Sequence, residues 1–188
     1  MNAIGLYRLG HKCYEKHIPL IPFATKALIF LVFNSVVPYS ADIGEDSRFA
    51  YGCMSVVVHS RAKIGKRVII GQNTTIGRSL DPEDFPEIGN DVYISAGARV
   101  IGHIKVGNNV IIGANAVVNK DVPDNSIVAG VPAKIIRTID KPIWSYLKNI
   151  HFPSLNKNGG GYSAEIIVAI FPEINGYQRY QNYQGVAA

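Results

Sequence analysis

An apolar residue followed by glycine returns along this chain at multiples of six: Ile64-Gly65, Ile70-Gly71, Ile76-Gly77, Ile88-Gly89, Val106-Gly107 and Ile112-Gly113. Ile94, Val100 and Val118 hold the same frame between and after these pairs. A helix would place its apolar stripe at spacings of three and four, and a half-buried strand would alternate at two, so neither accounts for a strict six. A chain that turns a corner every six residues does: three flat sides close one turn of about 18 residues, and stacked turns form a parallel β-helix. The pattern predicts an all-β core, a left-handed parallel β-helix of hexapeptide repeats with N-terminal helices and a short C-terminal extension. The branched residue of each side points inward onto its counterpart one turn away, and the adjacent glycine serves a positive φ or a close backbone approach. No single coil buries its own apolar side, so stability comes from coils stacked on their neighbours.

The frame extends upstream to Val58 and, after a three-residue shift, to Phe49 and Ile43; downstream it reaches about Val131, with a break near Asp121-Val122-Pro123. Between Ile76 and Ile88 the spacing stays in frame, yet residues 78–87 (RSLDPEDFPE) carry two prolines and four acids, which reads as a loop ejected from the coil. Loops of this kind commonly gather on one face of a solenoid, often the binding face. Four segments follow: a helical segment at 1–38, the β-helix at 39–134 with its loop at 78–87, a short helix and linker at 135–158, and a Tyr/Gln-rich extension at 159–188. Within the first, residues 3–16 form one helix, and the nearly all-apolar 23–37 forms another, either buried against the first coil or lying on a membrane surface. It is shorter than the roughly 20 residues needed to span a bilayer.

Composition narrows the function. A net charge of +5 with lysine and arginine spread along the coil suits small polyanions or anionic headgroups. Nucleic acid would call for a concentrated stripe with stacking aromatics or a recognition helix, so it is not expected as a partner. Two cysteines 40 residues apart match neither a disulfide framework nor a structural metal site, and no metal is expected. The apolar stretch starts late and lacks a small-residue cleavage site, unlike a secretory signal. A cytoplasmic protein is expected, with contact to the inner face of the membrane as an option.

The run from Ile88 through Ile94-Ser95-Ala96-Gly97, Ile112-Gly113-Ala114 and Gly130-Val131-Pro132-Ala133-Lys134 resembles the hexapeptide-repeat acyltransferases. Within them it is similar to the serine acetyltransferases and their shorter relatives that modify polysaccharides, and the N-terminal YRLGHKCYEKHIPLIP is similar to the opening of the shorter kind. The resemblance covers about residues 5–140. It implies a homotrimer with acetyl-CoA, as cosubstrate, lying in the groove between neighbouring coils. Carried onto this chain, the donor groove involves Ser95, Ala96, Gly97, Gly113, Ala114 and Val131, with Lys134 and Arg137 facing the phosphates. Small side chains leave room for an extended pantetheine arm, and cations meet the anionic end.

The resemblance also implies an Asp-His pair early in the coil and an Asp-Arg-His-Pro segment in the ejected loop. Ala50-Tyr51 and Glu83-Asp84-Phe85-Pro86 stand there instead. Acetyl transfer to a hydroxyl nonetheless needs a base, and an imidazole near neutrality is the usual one. His59, eight residues beyond Tyr51, is the candidate base. Tyr51 is a candidate for orienting the acceptor, although a phenol with a pKa near 10 is a poor base. Asp84, with Glu83, is a carboxylate alternative on the loop. Cys53 reads as a small buried hydrophobe and His103 as a surface residue.

These positions lead to an expectation of O-acetyl transfer from acetyl-CoA to a saccharide hydroxyl of a surface polysaccharide or lipid-linked glycan. Two alternatives stand beside it: a catalytically silent CoA-binding trimer, and a serine acetyltransferase.

Overall fold

The computed structural model describes residues 2–80 and 85–147 of the 188-residue chain. Four coils follow two helices. The first coil holds β1 (Asp42–Ile43), β2 (Arg48–Phe49) and β3 (Val57–Val58); the second, β4 (Lys63–Ile64), β5 (Ile69–Ile70) and β6 (Thr75–Gly77). The third holds β7 (Glu87–Ile88), β8 (Val92–Ile94) and β9 (Arg99–Ile101); the fourth, β10 (Lys105–Val106), β11 (Val110–Ile112) and β12 (Val117–Val118). Strands β13 (Ser126–Ala129) and β14 (Lys134–Thr138) close the series.

Every third strand pairs, giving three parallel ladders: β1-β4-β7-β10, β2-β5-β8-β11-β13, and β3-β6-β9-β12. This is the left-handed parallel β-helix that the six-residue frame predicts. The inward stacks are Ile43, Ile64, Ile88 and Val106 on the first side, Phe49, Ile70, Ile94 and Ile112 on the second, and Val58, Ile76, Val100 and Val118 on the third, all buried. A smaller buried residue two positions earlier, such as Ala41, Ala62, Ala98 or Ala116, fills the space beside each.

The corner glycines act by close approach. A Cβ on Gly65 would lie 2.5 Å from the carbonyl oxygen of Gly89 one coil on, a distance real Cβ atoms do not tolerate. The positive φ of the same corner falls two residues later, on Arg67 (54°), Asp91 (55°) and Asn109 (58°).

At the N-terminus, α1 (Ala3–Glu15) starts at Asn2, whose side-chain oxygen accepts the Ile4 N–H at 3.1 Å while its amide donates to Phe49 O at 2.7 Å. Its buried stripe is Ala3, Tyr7, Gly10 and Cys13. The Tyr7 hydroxyl donates to Ala41 O (2.6 Å) and accepts the Ile43 N–H (3.1 Å), fixing α1 to the first coil. A second helix, α2 (Ile21–Phe33), crosses α1 so closely that a side chain at Gly10 would collide with Thr25. It ends where Asn34 takes a left-handed conformation, and Val36 bridges to Val57, so the expected helix over 23–37 stops short and its last residues join the coil. It is not buried as a whole: only Pro22, Thr25, Ile29 and Phe33 are covered.

The short helix expected within 135–158 is corrected. Residues 134–138 form β14, which runs antiparallel on β13, and among the described residues after it one 3-10 turn, Ile143–Ser145, follows. The β-branched Ile135, Ile136 and Thr138 favour an extended chain, and β13 offers an open edge to pair with. Residues 148–188, with the glycine run and the Tyr/Gln-rich extension, lie outside the described residues, as does Asp84 with its neighbour Glu83.

Candidate active site

Three edges join the sides of the coil, and the expected site residues divide between two of them. On the edge leading from the β3 ladder back to the β1 ladder, His59 follows β3, and the ejected loop leaves after β6 and returns at β7. The loop returns with Phe85, whose ring stacks on His59 (centroids 6.3 Å apart, planes within 7°). Arg61 lays its guanidinium 5.0 Å from the centre of the same ring. The His59 amide donates to Ile76 O at 2.8 Å, which fixes the backbone of this corner to the next coil.

Partial burial lowers the His59 pKa, and the charges of Arg61 and Arg78 lower it further, which favours the neutral imidazole. The Arg61 N–H donates to Nδ1 at 3.2 Å, which leaves the proton of the neutral ring on Nε2. In this state Nε2 is a donor. To accept a proton there, the ring must exchange tautomer and release the Arg61 amide.

The second edge, from the β2 ladder to the β3 ladder, carries Tyr51 and the expected donor residues. Tyr51 is 52% exposed on the 3-10 turn Ala50–Gly52, with φ at 47°, so it lies on a different edge from His59. Ser95 (6% exposed), Ala96 and Gly97 follow β8; Gly113 and Ala114 follow β11. Gly97 has φ +72° and no room for a side chain beside Asn115. Gly113 backs onto Ala129, and Ala129 pairs with Lys134 across β13 and β14, which places Lys134 beside the donor strip. Arg137 pairs with Ile127 on the same ladder, and Val131 is exposed on the connecting turn. Ser95 is too covered to offer its hydroxyl outward, so Ala114, Val131, Lys134 and Arg137 form the accessible part of this set.

Cys53 is buried, with its thiol pushed up to about 12 by burial, and is no nucleophile. His103 is exposed on the His59 edge, one coil beyond the loop. Local spacing does not mark the partners of His59: Arg78 and Phe85 belong to the loop segment, and only the short His59-Ser60-Arg61 spacing hints at the group. A groove of about 410 Å3 runs outside the first ladder past Lys63, Glu87 and Lys105, and none of the expected donor residues lines it. Among the described residues no cluster of His, Cys, Asp or Glu could hold a metal ion, and no helix is long and apolar enough to cross a membrane.

Comparison with known proteins identifies the lineage of this geometry. Residues 85–120 match the bacterial transferase hexapeptide family, a profile of six repeats. The serine acetyltransferase of Staphylococcus aureus is 31% identical over 155 residues, which cover 81% of this chain and 72% of that protein. The chain belongs to the serine acetyltransferase family. The enzyme of that name from Synechococcus elongatus is 33% identical over 137 residues, 72% of this chain and 56% of its own length. A Brucella abortus serine acetyltransferase solved with coenzyme A superimposes with a TM-score of 0.68 at 31% identity, over 73% of this chain and 55% of that one. Against several of its relatives, therefore, the chain spans only about half their length.

This membership corrects the expectation of a saccharide acceptor and partner. The departures at Ala50-Tyr51 and in the loop point away from serine, but the matched relatives, which cover 72–81% of this chain, are serine acetyltransferases.

Proposed function

We propose that this chain is an acyl-CoA-dependent O-acetyltransferase that takes acetyl-CoA as donor and free serine as acceptor. The observation that supports it most is the shared coil, common to a coenzyme A-bound relative over 73% of this chain. The charge of the His59 corner fits the acceptor: Arg61 and Arg78 give it a positive field, which suits the carboxylate of an amino acid.

The two edges set a condition on assembly. His59 and the donor strip belong to different edges of one protomer, so they meet only if the His59 edge of one copy faces the donor strip of another. A homotrimer with its grooves between neighbouring coils satisfies that condition. In the groove, the serine hydroxyl oxygen attacks the thioester carbonyl carbon while its proton passes to the Nε2 lone pair of His59. Collapse of the tetrahedral intermediate expels the CoA sulfur, which takes the proton from the imidazolium. The Nδ1 bond to Arg61, long at 3.2 Å, has to open for the ring to enter this cycle.

The test is thiol release from acetyl-CoA with L-serine present, for the wild type and His59→Ala. A positioned base contributes about 10²–10⁴-fold, so His59→Ala should lose at least about a hundredfold in kcat with little change in the KM for acetyl-CoA. Wild-type release no faster with serine than without it would sink the proposal. A second reading, a scaffold that binds acetyl-CoA without turnover, draws support from Ala50 and Tyr51 standing where the family's acid and histidine are implied and from the Nδ1-accepting state of His59. It predicts acetyl-CoA binding by calorimetry with no release on serine.

A further inference from the structure

The outward side of α2 is unlike the rest of the surface. Opposite its buried stripe stand Leu20 at the N-cap (77% exposed), Phe23 (66%), Phe30 (55%) and Leu31 (78%), with the exposed Ala24 and Ala27 between them. At about 1.5 Å per residue this is a strip of roughly 17 Å with no charged group along its centre. A helix that is apolar all round is normally covered on every side, and α1 covers only one. Thirteen residues are too few to cross a bilayer, which leaves the interface plane or another protein.

Charge decides between them. The segment 1–37 carries four cations, Arg8, Lys12, Lys16 and Lys26, against one acid, Glu15. Lys12, Lys16 and Lys26 are exposed, the first two in the last turn and at the C-cap of α1 and the third on α2 itself. A second copy docked face to face on this strip would bring the same cations together around one contact, which is repulsive. Anionic headgroups would be attracted by all of them. At the turn between the helices, a cleft of about 470 Å3 lined by Tyr14, Ile18, Pro19, Leu20, Phe23 and Tyr39 places two phenols beside the strip. Such rings favour the headgroup level of a membrane.

We propose that the outward face of α2, together with the turn that precedes it, docks in the plane of an anionic lipid surface. The apolar strip enters the headgroup and acyl boundary while Lys12, Lys16 and Lys26 meet the phosphates. This inference does not depend on the acetyl-transfer reading.

Cosedimentation of the full chain with vesicles of phosphatidylcholine containing about a third phosphatidylglycerol, against phosphatidylcholine alone, tests it. The wild type should pellet with the anionic vesicles and remain largely in solution with the neutral ones. Lys12→Glu with Lys16→Glu should weaken anionic binding at least about tenfold, and Phe23→Ser with Leu31→Ser should abolish it. All four side chains are exposed, so circular dichroism should show an unchanged fold. Failure of the wild type to pellet with anionic vesicles would overturn the proposal. So would a Phe23→Ser, Leu31→Ser variant that still pellets but changes from a larger to a smaller assembly, which would assign the strip to a second copy.

Discussion

Replacing Ile94 with alanine probes what holds the coil together. Ile94 is fully buried in the middle of the longest ladder, in register with Ile70 on one side and Ile112 on the other. The substitution removes three carbons, worth about 0.8 kcal/mol each or roughly 2.4 kcal/mol of transfer free energy. A cavity term is added because the neighbours cannot close in. Ladder hydrogen bonds such as Gly71 N–H to Ile94 O and Ser95 N–H to Ile112 O, at 2.8 and 2.9 Å, hold the coils at their spacing. The expected loss is therefore in the upper half of the usual range of about 2–5 kcal/mol. Guanidinium unfolding followed by circular dichroism, at one fixed chain concentration because assembly contributes to stability, reads the change as a lower midpoint. Lys105→Ala, an exposed position one coil on, is the control and should shift stability by no more than about 0.5 kcal/mol. An Ile94→Ala loss below about 1 kcal/mol would refute the argument, since it would mean that the coil collapses freely around the missing side chain.

Two further outcomes follow from individual side chains. Tyr7→Phe keeps the ring but removes the partner of both the Ala41 carbonyl and the Ile43 N–H, so it should cost about 1–3 kcal/mol in the same unfolding assay; a neutral result would show that water replaces the hydroxyl. For His59 the folded pKa lies below the ordinary 6.5, so its contribution to stability is present above 6.5 and is lost as pH falls through the folded value. If it is the base, the acid limb of kcat/KM should also lie below 6.5, and Arg78→Gln should move that limb upward by removing one of the depressing charges; a limb that stays in place would separate His59 from the reaction.

The coil was legible because its period is shared by no other element. Ile43, Phe49 and Val58 could be placed even across a three-residue shift, and all three are buried where the frame puts them. Strand β14 was not legible, because all five of its residues are exposed and so carry no inside-outside alternation. The role of the corner glycines was half legible: composition marks the corner, but the neighbouring coil decides that close approach is the constraint. At the site, His59 stood out as a residue type, whereas its stacking on Phe85 depends on a register between coils that local spacing does not encode. The acceptor is hard to read locally for a related reason. The two short motifs at Ala50-Tyr51 and at residues 83–86 point one way, while a likeness that covers 72–81% of the chain points the other.

Successive inward residues on the first side, Ile43, Ile64, Ile88 and Val106, are separated by 21, 24 and 18 residues, yet they stack without a step. The additional three and six residues leave at single corners, and the strands that follow, as far as β12, resume the count unaltered. Architecture and chemistry are therefore inherited separately in this molecule. The stack transmits nothing about the length of what hangs from a corner, so the segment beside His59 is open to exchange, by divergence or by design, as a cassette on a scaffold that does not register the change.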